Sequence, residues 1–243
     1  MTEATRIAVL GTGANLDRVV AALVRRGAQV VDDVAQAQVV LTQTSPIQAL
    51  KTARETLDAL AAGTVYADLN AGTPGFKRNL GDIFSEGVFA DVMLGFSGAE
   101  AGDDVALAAS GPGAARLAEL LAPYASVEVI SDVPGHAAAR TLLRNLFDNG
   151  IANVLVDTLW AAESLGQADW MHREVLRAFE VSTAQTAQDY LTDTSVNFKR
   201  RQMDMQEVVE LLSESGFDST MLAPIQFTHG RIMHSKKIPH AKG

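Results

Sequence analysis

The sequence predicts an α/β fold: a parallel, doubly wound sheet, then a long helix, then a small all-helical C-terminal part. Three observations carry that reading. Short β-rich runs alternate with helical patterns through residues 1–134. Beyond Pro134-Gly135 every pattern is helical. The chain has 243 residues, 47% of them hydrophobic, enough for one large core or two modest ones. The domain boundary is accordingly expected there, with 1–134 forming the α/β domain and 135–243 the helical one.

The elements follow in order. "RIAVLG" (6–11) is a buried-strand pattern, and "ANLDRVVAALVRRG" (14–27) follows with helical spacing and a closing glycine. "AQVVLTQ" (37–43) and "TVYADLN" (64–70) are further strands, with "PIQALKTARETLDALAAG" (46–63) the helix between them. "GVFADVMLG", "VALAASG" and "VEVISD" add three more, separated by turn-rich stretches and the helix "GAARLAELLAPY". Leu143, Phe147, Ile151, Leu155 and Leu159 then recur every four residues, which predicts one helix of about 45 Å. Its apolar residues fall on more than one face, so it needs a second partner, and a homodimer is expected. Three shorter helices are predicted over 171–191, 196–216 and 220–233.

Composition narrows the function. The net charge is −9 and there is no cysteine, which excludes disulfides, thiolate metal sites and a cysteine nucleophile and argues against nucleic acid as a partner. No window approaches the ~18–20 apolar residues of a membrane span, and "MTEATR" does not open a signal peptide, so a cytoplasmic protein without a membrane partner is expected. The five histidines, His136, His172, His229, His234 and His240, lack metal-ligand spacing, and no metal is expected. The basic tail from His229 onward is read as a solvated end.

The first strand runs into Gly11-Thr12-Gly13-Ala14-Asn15-Leu16, a glycine turn in which Leu16 stands where the third glycine of GxGxxG would be. Asp32 lies 19 residues past Gly13, close to the place of a ribose-binding acid. Only "DVAQA" separates it from the next strand, too few residues for a helical return, so at least one αβ unit is missing and the Rossmann-like sheet is truncated.

The ordered segments "IAVLGTG", "TSPIQALKTA", "YADLNAGTPGFKR", "FADVMLGFSG", "ASGPGAARLAELLAP" and "DVPGHAAARTLLRNLFDNGIANVL" resemble the β-hydroxyacid dehydrogenase superfamily. The likeness is to 6-phosphogluconate and 3-hydroxyisobutyrate dehydrogenases, and within them to short bacterial phosphogluconate dehydrogenase-like proteins. It implies a Rossmann domain, a helical domain at a dimer interface and a substrate pocket between the two. It also implies a lysine acid/base on the interdomain helix with an asparagine one turn later. Here Thr141 takes the lysine's place while Asn145 keeps the asparagine, and Met203 replaces a second lysine beside a retained Asp204. A threonine hydroxyl has no accessible titration, and neighbouring arginines stay protonated.

Thr141, Arg144, Asn145 and Asp148 fall on one helical face, a polar stripe that lines a cavity or serves an interhelical salt-bridge network. With His136 they are the candidate catalytic residues. Asn70, Thr73, Asp91, Phe96, Ser97 and Gly98 are substrate-binding candidates at the carboxyl ends of two strands, where turn formation and capping are the plainer roles for the same residue types. Gly11, Gly13, Ala14, Asn15 and Asp32 would hold a dinucleotide if one is retained. Asn153 and Asp157 extend the stripe toward solvent or a second subunit. The missing unit and the lost lysine lead to the expectation of a cofactor-independent lyase that cleaves a C–C bond of a small hydroxylated substrate. Asp148 or His136 would be its base, and Arg144 would stabilise negative charge. The alternatives are an NAD(P)-dependent dehydrogenase or reductase, and a non-catalytic binding protein.

Overall fold

A computed structural model describes residues 4–85, 87–95, 105–234 and 237–241. The chain divides into two units, 1–145 and 146–243. The first is built as β1 (Arg6–Gly11), α1 (Ala14–Arg25), β2 (Gln29–Val30), β3 (Val39–Gln43), α2 (Pro46–Leu57), β4 (Val65–Asp68), α3 (Pro74–Gly81), β5 (Phe89–Leu94), β6 (Ala106–Ser110), α4 (Ala114–Leu121) and β7 (Ser126–Ser131). The start of α5 (His136–Ser164) also belongs to it.

The seven strands form one sheet in the order β2-β1-β3-β4-β5-β6-β7. All pairs are parallel except β5–β6, where a fully parallel sheet was expected. Side chains alternate between the two faces, as a strand's period of two requires. Ile7, Val39, Leu41, Val65, Ala67 and Ala90 enter one core with Leu16 and Val19 of α1 and Leu117 and Leu121 of α4. Ala8, Val40, Tyr66 and Phe89 enter the other, with Ala53 of α2 and Leu80 of α3. Helices thus cover both faces, the doubly wound arrangement.

The truncation is as expected. The two-residue β2 is followed by a single 3-10 turn, Val34–Gln36, before the chain re-enters the sheet as β3 beside β1. Among the described residues no strand lies outside β2. Local signals set the helix starts: Ser45 and Gln48 form a capping box ahead of Pro46, and the Thr73 hydroxyl accepts from the Phe76 amide ahead of Pro74.

The second unit holds the rest of α5, then α6 (Ala168–Val181), α7 (Ala184–Val196), α8 (Phe198–Ser215) and α9 (Leu222–Met233). The single helix expected over 171–191 is two, because Thr183 and Thr186 form a capping box that restarts the chain. Asp157, expected toward solvent or a partner, is buried. It accepts from the Ser219 hydroxyl and from the amide and hydroxyl of Thr220, just ahead of α9. Burial alone would raise this carboxyl, but those hydrogen bonds hold it below the usual range. Among the described residues no helix is long and apolar enough to cross a membrane.

His229 of α9 is buried with its Nδ1 unpartnered, and burial followed by the charge of Arg201 pushes its pKa down. The neutral ring is therefore the folded form. Its contribution is complete above the unfolded value of about 6.5 and is lost as pH falls below it. Thermal unfolding followed from pH 7.5 to 5.5 should show the chain losing stability on acidification, and His229→Gln should flatten that slope.

Candidate functional site

The turn after β1 is set by close packing. Gly11 has φ +91, and a Cβ there would stand 2.1 Å from the Gln43 carbonyl oxygen, which already accepts from the Thr12 amide at 3.0 Å. A Cβ on Gly13 would stand 2.5 Å from the Gln43 Oε1, which accepts from the Leu16 amide. Only glycine fits either position without a shift, and Gly13 begins α1 without a side-chain cap. Gly11, Thr12, Ala14 and Asn15 are exposed. A glycine turn opening onto the positive end of a helix is an anion cradle, and it fits a dinucleotide pyrophosphate.

Leu16 does not obstruct that cradle. Its side chain is fully buried in the core with Ile7, Val39 and Leu41, so the third-glycine position faces the sheet. Asp32 is exposed two residues past β2, while the neighbouring Asp33 carboxylate caps the 3-10 turn by accepting from the Ala35 amide. Asp32 is a carboxylate of the type that accepts from a ribose hydroxyl in this position of a dinucleotide fold.

Beside the turn, at the carboxyl edge of the sheet, is a cavity of about 110 Å³ formed entirely within the first unit. Asn15, Gln43, Asn70, Asp91, Thr141 and Asn145 are its polar lining. Residues expected on separate grounds thus converge: an asparagine after β4, an aspartate on β5, and two positions one turn apart on α5. The Thr141 hydroxyl donates to the Ala137 carbonyl at 3.2 Å, so the side chain can offer an oxygen acceptor to a ligand. The Asn70 Oδ1 accepts from the Thr44 amide at 2.5 Å, and its Nδ2 donates to Asp68, which sets the orientation of the amide.

Other candidates lie elsewhere. His136 is exposed at the first residue of α5, with its Nδ1 2.8 Å from the Ser131 hydroxyl. Asp148 is exposed in the second unit, and neither residue lines the cavity. Arg144 donates to the Leu94 carbonyl at 2.9 Å. The Thr73 hydroxyl caps α3. Phe96, Ser97 and Gly98 lie outside the described residues.

The sequence reading missed Lys77. This lysine of α3 is 1% exposed, with its Nζ 2.5 Å from the Asp68 Oδ2 and 3.1 Å from the Asp91 Oδ1. The second oxygen of Asp91 accepts from the Ser110 hydroxyl and from the amides of Gly135 and Ala138 at the start of α5. Burial raises the Asp68 carboxyl, more than the charge of Lys77 and the hydrogen bonds from Lys77 and Asn70 lower it. The available signal was spacing: Lys77 stands three residues before Leu80, on the buried face of α3.

No protein-family model matches the chain, and no curated protein does. Solved structures do. The conserved protein MTH1747, described as structurally similar to 3-hydroxyacid dehydrogenases, is 24% identical, with a TM-score of 0.57 over 94% of this chain and 97% of its own. The imine reductase from Myxococcus stipitatus in complex with NADP+ is 14% identical, with a TM-score of 0.70 over 96% and 95%. The reductive aminase from Aspergillus terreus, in complex with NADPH4, cyclohexanone and allyl amine, is 14% identical, with a TM-score of 0.68 over 97% and 95%. The fold is thus that of the 3-hydroxyacid dehydrogenase-like and imine reductase proteins. Within that fold, this chain has a short edge at the two-residue β2.

Both the cofactor-independent lyase and the expected absence of a cofactor are corrected by these findings. The fold's neighbours include a reductive aminase in complex with NADPH and an imine reductase in complex with NADP+. The physical reason lies in which part of the sheet was lost. The missing unit would flank the adenosine, whereas the glycine cradle and the start of α1 are intact, and Leu16 points away from them. Both bases offered for the lyase, His136 and Asp148, also fall outside the cavity.

Proposed function

We propose that the chain is a nicotinamide-dependent oxidoreductase acting on the C=N or C=O bond of a small molecule at the Asn70–Thr141–Asn145 cavity. The single observation that carries this reading is the adjacency of the intact Gly11–Gly13 cradle to that polar cavity, with Asn15 and Gln43 belonging to both. Gly11, Gly13 and the start of α1 would hold the cofactor, which would supply or accept a hydride there. The chain's own residues bind and orient. Asn70 is held by Thr44 and Asp68, and Thr141 can present an oxygen acceptor beside Asn145.

That acceptor favours nitrogen substrates. A protonated imine of a primary amine carries one N–H donor and needs no further proton before reduction, so it suits a threonine oxygen where a lysine would protonate a carbonyl. Two further features complete the proposal. Asp32 would accept from a ribose 2′-hydroxyl and repel a 2′-phosphate, so NAD(H) is the preferred form. The second unit leaves Leu146, Phe147, Phe179 and Tyr190 exposed around an apolar groove of about 700 Å³, which supports a homodimer through the helical domain.

Titration with NADH and NADPH, followed by nicotinamide fluorescence, tests the core of the reading. NADH should bind at least about tenfold more tightly, and Asp32→Ser should narrow the gap to about threefold. Oxidation of the bound cofactor on adding cyclohexanone and allyl amine would extend the result to C=N reduction. Failure of both dinucleotides to bind would overturn the proposal.

A further inference from the structure

The Asp68–Lys77–Asp91 triad has a two-sided geometry that an ordinary buried ion pair does not need. Lys77 donates to the Asp68 Oδ2 and is ion-paired at 3.1 Å with the Asp91 Oδ1, an oxygen that accepts no hydrogen bond. The other oxygen of each holds a part of the site. The Asp68 Oδ1 accepts from the Asn70 amide. The Asp91 Oδ2 accepts from the Gly135 amide at 3.1 Å and the Ala138 amide at 2.9 Å. The Ser110 hydroxyl donates to that same oxygen and accepts from the Ala137 amide at 2.9 Å. All three acidic and basic side chains are at most 1% exposed, so water does not screen the array.

We propose that Lys77 is a positioning residue: by clamping Asp68 to Asp91 it holds the Asn70 amide in one fixed relation to the start of α5, the helix that carries Thr141 and Asn145 further along. The inference rests on the oxidoreductase reading for its consequence but not for its geometry. The Asn70 end and the α5 end come from different strands, β4 and β5, and Lys77 is the cation that ties their carboxylates together. Gly11 and Gly13 make none of these hydrogen bonds, so cofactor affinity is expected to change less than the geometry of the cavity.

The test uses the full chain and hydrogen exchange read by NMR. In Lys77→Met the amides of Gly135 and Ala138 should exchange at least about tenfold faster relative to those of Leu41 and Ala67 in the sheet. Asp68→Asn keeps the Lys77–Asp91 pair and is the variant to use where Lys77→Met does not fold. It should leave the α5 amides protected and move the Asn70 side-chain amide resonances. In turnover of NADH with cyclohexanone and allyl amine, Asp68→Asn should lower kcat about tenfold, with NADH affinity unchanged within about twofold. Unchanged exchange in Lys77→Met, or unmoved Asn70 resonances in Asp68→Asn, would overturn the positioning role. A wild-type chain that binds neither dinucleotide would overturn the oxidoreductase reading alone, since the exchange measurement decides Lys77 without it.

Discussion

Replacing Lys77 by methionine is expected to destabilise the chain by about 3–5 kcal/mol at neutral pH, the range for removing one partner of a buried ion pair. The methionine fills a similar volume, so the loss is electrostatic rather than a cavity effect. Two carboxylates would then face one another's field without a cation, and the nearest relief is a proton. Asp68 already sits above the usual carboxylate range because of burial. Without Lys77 it rises further. A carboxyl with a raised folded pKa penalises the fold above that pKa, and the penalty falls as pH drops toward the unfolded value near 3.9. Urea unfolding of wild type and Lys77→Met at pH 7.5 and pH 5.0 should therefore show the gap between them narrowing in acid. Asp68→Asn leaves one ammonium with one carboxylate and should cost less than Lys77→Met at pH 7.5. Equal costs would show that the triad is not balanced in the way its distances imply.

What could be read in the residues follows from how local each signal is. The strands with alternating or continuous apolar character were all legible, because Ile7, Val39, Val65 and Phe89 announce burial by themselves. The truncation was legible from the five residues between Asp32 and the next strand. The α3 helix was not, since "PGFKRNLG" is short and carries charge, and its buried face consists of Lys77 and Leu80. A lysine in sequence reads as solvent-exposed. What buries this one is a pair of aspartates on β4 and β5, and such long-range pairing leaves no periodicity. The break between α6 and α7 was hidden for the opposite reason: Thr183 and Thr186 suit a helix interior poorly but do not forbid one.

The site shows the same division. Asn70, Thr141 and Asn145 line one cavity, because strand ends and helix turns set where such residues stand. His136 and Asp148 do not join them. The helix that starts at His136 points that side chain toward Ser131 at the end of β7, and Asp148 lies two turns beyond Thr141. The expectation of no cofactor rests on the shortened sheet edge and on Thr141, and neither of these is the glycine turn. They are separate pieces of chain, and Leu16 beside the turn is a core residue, buried with Val39 and Leu41.

Gly11→Ala should then have the second large effect, on binding as well as on folding. At φ +91 an alanine is strained by roughly 1–2 kcal/mol. Its Cβ would also meet the Gln43 carbonyl oxygen at 2.1 Å. That oxygen cannot withdraw easily, because it accepts from the Thr12 amide and because Gly11 and Gln43 are paired in the β1–β3 register. The carboxyl ends of the two strands must part, with a loss of about 3 kcal/mol and at least about 100-fold in NADH affinity, since the cradle amides move with them. Gly13→Ala is the informative contrast. Its backbone is extended, so alanine is not strained there, and the obstacle is the Gln43 carboxamide, the end of a flexible side chain. Stability should change by less than about 1 kcal/mol while NADH affinity falls about tenfold. Calorimetric titration with NADH alongside thermal unfolding separates the two effects. If Gly13→Ala bound NADH as well as wild type does, the turn would be a packing device and the pyrophosphate would have to bind elsewhere.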